Sequence, residues 1–207
     1  MLLSNKEKKI RKLGLLSQDY IKKDIYDANI SEITVFMNIL KVLAGQTGEL
    51  VNANTLANAF GVSLPTVKKY LYIMQKSYCI SLMKPFWTNI TTELTKMPKV
   101  YFFDLGLRNS LLKNFENINE RLDKGQFFEN VVWREMVFQY GLDEMRYWRT
   151  QQENEVDFII EEKKAYEVKF TKNLIRESKY KLFRKKYSHI SLEFITFEDI
   201  IEKVIIQ

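Results

Sequence analysis

The sequence predicts a mixed α/β chain, α+β overall, in which a helical N-terminal half closed by a short hairpin precedes a mixed sheet flanked by helices. Three observations lead there. Apolar residues recur at helical spacing between residues 33 and 74, whereas "NEVDFIIEEKKAYEVKF" at Asn154–Phe170 holds two runs that alternate with a period of two. Only seven Gly and three Pro occur among 207 residues, so the connections are short. With 46% hydrophobic residues the chain can bury a core, as one large domain or two small ones.

Composition also excludes whole classes. A single cysteine, Cys79, cannot close an internal disulfide, and a single histidine, His189, cannot build a His-rich metal site. The expectation is an inert buried thiol and a structural imidazole. No apolar run reaches the roughly 20 residues that cross a bilayer, and "MLLSNKEKKIRKLGLL" lacks the apolar core of a signal peptide. A reduced, cytoplasmic compartment without a membrane follows as the expectation. The net charge of +6 lies wholly in residues 1–120, which carry 16 basic and 10 acidic residues against 16 and 16 in the remainder.

In chain order, Asn5–Tyr26 spaces Ile10, Leu13, Leu16, Tyr20 and Ile21 as a helix whose partner lies elsewhere. A helix from about Ser31, with Ser31 as cap, sets Val35, Phe36, Ile39, Leu40 and Leu43 in one stripe and stops at Gly45. In "NANTLANAFGVSLPTVKKYLYIMQKSYCI", Asn54 can cap a short helix bearing Leu56, Ala57 and Phe60. Gly61 turns the chain, and Ser63 caps a second helix with Pro65 in its first turn. This is helix-turn-helix spacing. Val67, Leu71 and Met74 share the inner stripe of the second helix, leaving Lys68, Lys69, Tyr72 and Lys76 outside, within a stretch (61–90) of four lysines and no acid. "YCISLMKPFWTN" and "KVYFFD" then predict the hairpin of a winged helix. Such a helix can enter a DNA groove with its lysines on phosphates, or serve as a rigid protein-docking module, since it carries no arginine.

A polar boundary at Leu112–Lys124 ends in Gly125. "QFFENVVWREMVFQYG" predicts a helix with Phe128, Val131, Val132, Glu135 and Met136 near one face. "MRYWRT", the two alternating runs, a basic helix over Lys172–Tyr187 and "ISLEFIT" give the order three strands, helix, strand, hence a mixed sheet covered by helices. Trp133, Trp148 and Tyr101–Phe103 alternate with their elements' apolar patterns and are expected in the core rather than as base-stacking platforms.

Parity then decides which side chains stand together. Val156, Phe158 and Ile160 share one face of the first run, Glu155 and Asp157 the other; in the second run Glu167 and Lys169 face away from Tyr166, Val168 and Phe170. A turn centred on Glu162 sets Asp157 opposite Glu167. Like charges so placed destabilise a sheet, whereas a divalent cation reverses the sign. Lys169 shares that face and could orient water or stabilise charge on a phosphate; Glu129 or Glu135 could add a third acid. A solvated charged face fits the same spacing.

Glu129 on a helix, Asp157 in "EVDFII" and Glu167–Lys169 in "EVK" resemble the PD-(D/E)XK nuclease motif as arranged in archaeal Holliday-junction resolvases. The resemblance implies a restriction-endonuclease-like mixed sheet flanked by helices. It makes Glu129, Asp157 and Glu167 ligands of Mg²⁺ or Mn²⁺, and Lys169 the residue that assists hydrolysis. A longer resemblance covers nearly the whole chain. "DYIKKDI", "LANAFGVSLPTVKKYL", "PKVYFFDLGLRNSLL", "GQFFENVVWREM", "YWRT" and "EVDFII…YEVK" are similar to the C-terminal region of predicted AAA+-type prokaryotic ATPases. It implies a winged helix over 31–112, a nuclease-like domain over 113–207, and residues 1–30 as a helical link to an absent ATPase domain. No G-x-x-x-x-G-K-[ST] occurs, so no ATP site is carried over.

The expectation is therefore a DNA-binding, Mg²⁺-dependent phosphodiesterase. Lys68, Lys69, Tyr72, Lys76, Lys172 and Arg176 would contact nucleic acid, and Gln126 and Arg149 are further candidates for phosphate. The alternative is a catalytically inactive nucleic-acid or protein interaction module.

Overall fold

The computed structural model describes residues 5, 7–15, 30, 32–87 and 97–200. The fold is mixed α/β, and the chain divides into two compact units, Met1–Leu82 with Val100–Ile118, and Met83–Lys99 with Asn119–Gln207. No helix among the described residues is long and apolar enough to cross a membrane.

The first unit is helical. Residues 7–15 form α1, the described part of the predicted Asn5–Tyr26 helix; Leu16, Tyr20 and Ile21 lie outside the described residues. Then come α2 (Ile33–Gly45), α3 (Ala53–Phe60), α4 (Leu64–Lys76), β1 (Ile80–Met83), β2 (Lys99–Phe102) and α5 (Leu105–Leu112), with Met83 and Lys99, at the ends of the two strands, counted in the second unit. The predicted cap Ser31 also lies outside the described residues; Glu32 stands at the N-cap of α2 without a side-chain bond. Asn52 caps α3, in place of the predicted Asn54. Its Oδ1 accepts from the amides of Asn54 and Thr55, which puts Asn54 inside the first turn as a donor. Gly61 ends α3 with φ 65°, and Ser63 caps α4 with Pro65 in its first turn. Val67, Tyr70, Leu71 and Met74 of α4 join Phe36, Ile39, Leu40 and Leu43 of α2 in one core, with Cys79 buried beside them. The strands β1 and β2 pair in a two-stranded sheet.

In the second unit α6 (Lys124–Tyr140) leads to β3 (Met145–Arg149), β4 (Glu155–Ile160) and β5 (Lys164–Lys169). Two 3-10 turns (Lys172–Leu174, Glu177–Tyr180), α7 (Lys181–Lys186) and β6 (Ser191–Thr196) follow, and residues 197–200 begin α8. The sheet order is β3-β4-β5-β6, antiparallel except for the parallel pair β5 and β6. The predicted basic helix over Lys172–Tyr187 is broken: Ile175 and Arg176 are extended, and α7 starts only at Lys181. Buried anchors explain this, because Tyr180, Phe183 and Tyr187 recur at helical spacing whereas Leu174 upstream is exposed. Those three rings pack with Trp148, Val156, Ile159, Ala165 and Ile190. Trp133, Trp148, Tyr101 and Phe102 are all buried, as their patterns predict, whereas Phe103 is half-buried and His189 is exposed.

Candidate functional site

The hairpin β4-β5 carries the register set by its turn. Phe158 pairs with Tyr166, Ile159 with Ala165 and Ile160 with Lys164, and the same register continued brings Asp157 opposite Glu167. The turn reaches this register with Glu161 and Glu162 at φ 50° and 56°, a left-handed conformation uncommon outside Gly and Asn. Asp157 and Glu167 therefore lie on the face of Ile159 and Ala165, the face covered by Tyr180 and Phe183. Both carboxylates are 4% exposed. Asp157 Oδ2 accepts the Val168 amide at 2.9 Å. Lys169 Nζ donates to Glu167 Oε1 and, at 3.1 Å, to the Val168 carbonyl. Glu167 Oε2 is buried without a hydrogen bond of ordinary geometry.

The centre of the cluster is a residue that sequence reasoning passed over. Lys99, the first residue of β2, is 1% exposed, and its Nζ lies 2.5 Å from Glu155 Oε1 and 3.5 Å from both Glu129 Oε1 and Asp157 Oδ1. The Tyr147 ring centroid lies 5.7 Å from the ammonium. Burial alone would push the Lys99 ammonium down, but Glu129, Asp157 and Glu155 together hold it above the usual lysine range. Glu155 is itself tied down by Arg149 Nη1 at 2.8 Å.

Burial, and after it the charge of Asp157, pushes the Glu167 carboxyl up to about 8, against the opposing pull of Lys169 and the Tyr180 hydroxyl. Burial lowers Lys169, but Asp157, Glu167 and Glu129 outweigh it and raise its ammonium.

The sequence-derived set is thus partly assembled. Glu129, Asp157, Glu167 and Lys169 act on one another. Glu135 does not join them, since it is exposed and pairs with Arg134 at 3.1 Å; its position on α6 lies outside the buried stripe of Phe128, Val132 and Met136. Arg149 is bound to Glu155 and Glu153, and Lys172 Nζ to Asp199 at 2.7 Å, so both guanidinium and ammonium already serve protein carboxylates. Gln126 is half-buried in the first turns of α6, and Arg176 is exposed between the 3-10 turns. In the first unit Lys68, Lys69, Tyr72 and Lys76 are all exposed on α4, with the Lys76 ammonium over the Tyr72 ring.

The residues missed were Lys99, Glu155 and Tyr180. Glu155 was recoverable, because parity puts it on the face of Asp157. Lys99 at the start of an apolar strand reads as a solvent-facing end.

As donors, the oxygens of Glu129, Asp157 and Glu167 suit a hard divalent cation. Among the described residues no set of three or more such side chains is arranged to hold a metal ion as it stands. The cations already among these acids are Lys99 and Lys169.

Residues 1–117, more than half of the chain, match the family model described as Domain of unknown function (DUF8612). The chain belongs to that family. In this DUF8612 member a second model, Domain of unknown function (DUF4143), matches residues 124–198. Lys99 therefore falls in the first matched stretch, and Glu129, Glu155, Asp157, Glu167 and Lys169 in the second. The chain is 30% identical over 122 residues to the uncharacterized proteins Mb2031c of Mycobacterium bovis and Rv2008c of Mycobacterium tuberculosis. The aligned stretch is 58% of this chain and 28% of each relative. No solved structure matches the chain significantly.

Proposed function

We propose that the second unit carries a Mg²⁺- or Mn²⁺-dependent phosphodiesterase site acting on DNA, and that the first unit is a winged helix that holds the nucleic acid. The observation that supports this reading best is the convergence of Asp157, Glu167 and Lys169 from adjacent strands with Glu129 from α6, in the order and context of a PD-(D/E)XK site. Asp157, Glu167 and Glu129 would hold the cation, which when bound supplies Lewis-acid polarisation of a phosphate. Lys169, fixed by Glu167 and the Val168 carbonyl, presents its charge where negative charge would develop on a phosphate oxygen. The exposed lysines of α4 give the first unit a cationic surface suited to a DNA backbone. An ATPase domain is the proposed partner in a longer chain, consistent with the share of the relatives that this sequence covers.

A nicking assay tests the catalytic part. With Mn²⁺ and plasmid or branched DNA, wild-type protein is expected to cut, and Asp157→Ala, Glu167→Ala and Lys169→Ala are not. Equal background cleavage by all four proteins rejects it.

One observation favours a second reading, a non-catalytic interaction module. The Lys99 ammonium already neutralises much of the acid cluster from inside the protein. Under that reading the first unit still binds DNA or a protein surface, and Mn²⁺ leaves the melting temperature unchanged.

A further inference from the structure

Lys99 sits among the acids unevenly. Its 2.5 Å contact is to Glu155, a residue outside the set proposed to hold a cation, whereas both members of that set which it touches, Glu129 and Asp157, lie at 3.5 Å. Glu155 is in turn fixed by Arg149 at 2.8 Å, and Arg149 also reaches Glu153 at 3.1 Å. Four carboxylates, Glu129, Glu155, Asp157 and Glu167, thus face two lysines, Lys99 and Lys169, in a space where none of Lys99, Asp157 or Glu167 is appreciably exposed. Unpaired carboxylates at this depth would repel one another and lose hydration. An internal ammonium offsets part of that cost. It also touches both Glu129 and Asp157, whose nearer oxygens are each 3.5 Å from it and so no more than about 7 Å apart.

Resting on the reading of the acids as a cation site, we propose that Lys99 is a resident counter-ion that competes with a divalent cation for Glu129 and Asp157. Glu155, braced by Arg149, is the carboxylate on which the lysine parks when the divalent ion enters. Lys99 and Glu155 are positioning residues in this scheme, and neither is a metal ligand. The longer contacts break while the short one persists. Competition of this kind is a coupling between two cations on shared ligands, so removing one strengthens the other.

Calorimetric titration of Mn²⁺ onto the full chain tests this. Lys99→Met is expected to bind Mn²⁺ about tenfold more tightly than wild type, toward the lower end of the usual range for such coupling. Glu155→Gln, which leaves Lys99 with only Glu129 and Asp157, is expected to bind about tenfold more weakly. That loss should disappear when Glu155→Gln is made in the Lys99→Met background, a result that simple removal of a nearby negative charge does not give. Equal affinity of Lys99→Met and wild type, with Asp157→Ala not binding, overturns the competition while leaving the cation site standing. Failure of both wild type and Lys99→Met to bind Mn²⁺ overturns the cation site and the competition together. Should Lys99→Met not fold, Glu155→Gln alone still decides, because unchanged or tighter Mn²⁺ binding by that variant contradicts a parked lysine.

Discussion

The two units use lysine in opposite ways. On α4 of the first, Lys68, Lys69 and Lys76 are exposed, and each keeps its hydration. In the second, Lys99 is stripped of solvent and enclosed by Glu129, Glu155 and Asp157. An exposed lysine costs the fold almost nothing, so its presence carries little information by itself. A buried ammonium persists only when its surroundings are built for it. The second unit's buried charges therefore say more about the chemistry of this chain than the first unit's cationic surface does.

The sharpest way to break that contrast is to delete charge in each place. Lys99→Met leaves three carboxylates without their common partner and is expected to cost about 3–5 kcal/mol in urea unfolding. The paired change Lys68→Ala with Lys69→Ala should stay within about 0.5 kcal/mol. Comparable losses at the two sites would erase the distinction.

Next in size is the pH response of Glu167. Its carboxyl is raised in the fold from 4.5 to about 8, so between those values the folded protein retains a proton that the unfolded chain has released. The contribution is fully present below 4.5 and is lost as pH rises through 8. Stability should therefore fall across this window by an amount on the order of a few kcal/mol. Glu167→Gln should flatten the profile, and a wild-type curve that rises from pH 5 to 8 with no such component would contradict the assignment.

Smaller effects separate the caps and the surface. Asn52→Ala should cost about 1 kcal/mol and Asn54→Ala clearly less, since Asn52 Oδ1 accepts from two of the amides at the start of α3. If the first unit binds DNA, Lys68→Ala with Lys69→Ala should reduce the salt slope of binding by about two phosphate contacts. An unchanged slope would place the nucleic acid elsewhere or favour protein docking.

Much of this was legible in the sequence, and the exceptions share a cause. Register was legible, because a turn at Glu162 and strict alternation fix which residues of β4 and β5 oppose one another. So were the buried stripe of α4 and the Ser63 cap, both set by residues a few positions apart. Lys99 was not. Its burial depends on acids supplied by α6 and β4, and nothing near it in the chain announces them. The break within Lys172–Tyr187 was hidden for a related reason: a basic stretch with good helix formers continues as a helix only where buried rings hold it, and those begin at Tyr180. Between Asn52 and Asn54 composition could not choose, since either residue caps well. Local pattern reports local structure, whereas the charge cluster is a property of the assembled sheet.

The central claim is that Glu129, Asp157 and Glu167 form a divalent-cation site, and titration of Mn²⁺ while following the thermal midpoint tests it most directly. The midpoint of the wild type is expected to rise with Mn²⁺ concentration and that of Asp157→Ala to stay flat. A flat response in both, from well-folded protein, would contradict the account.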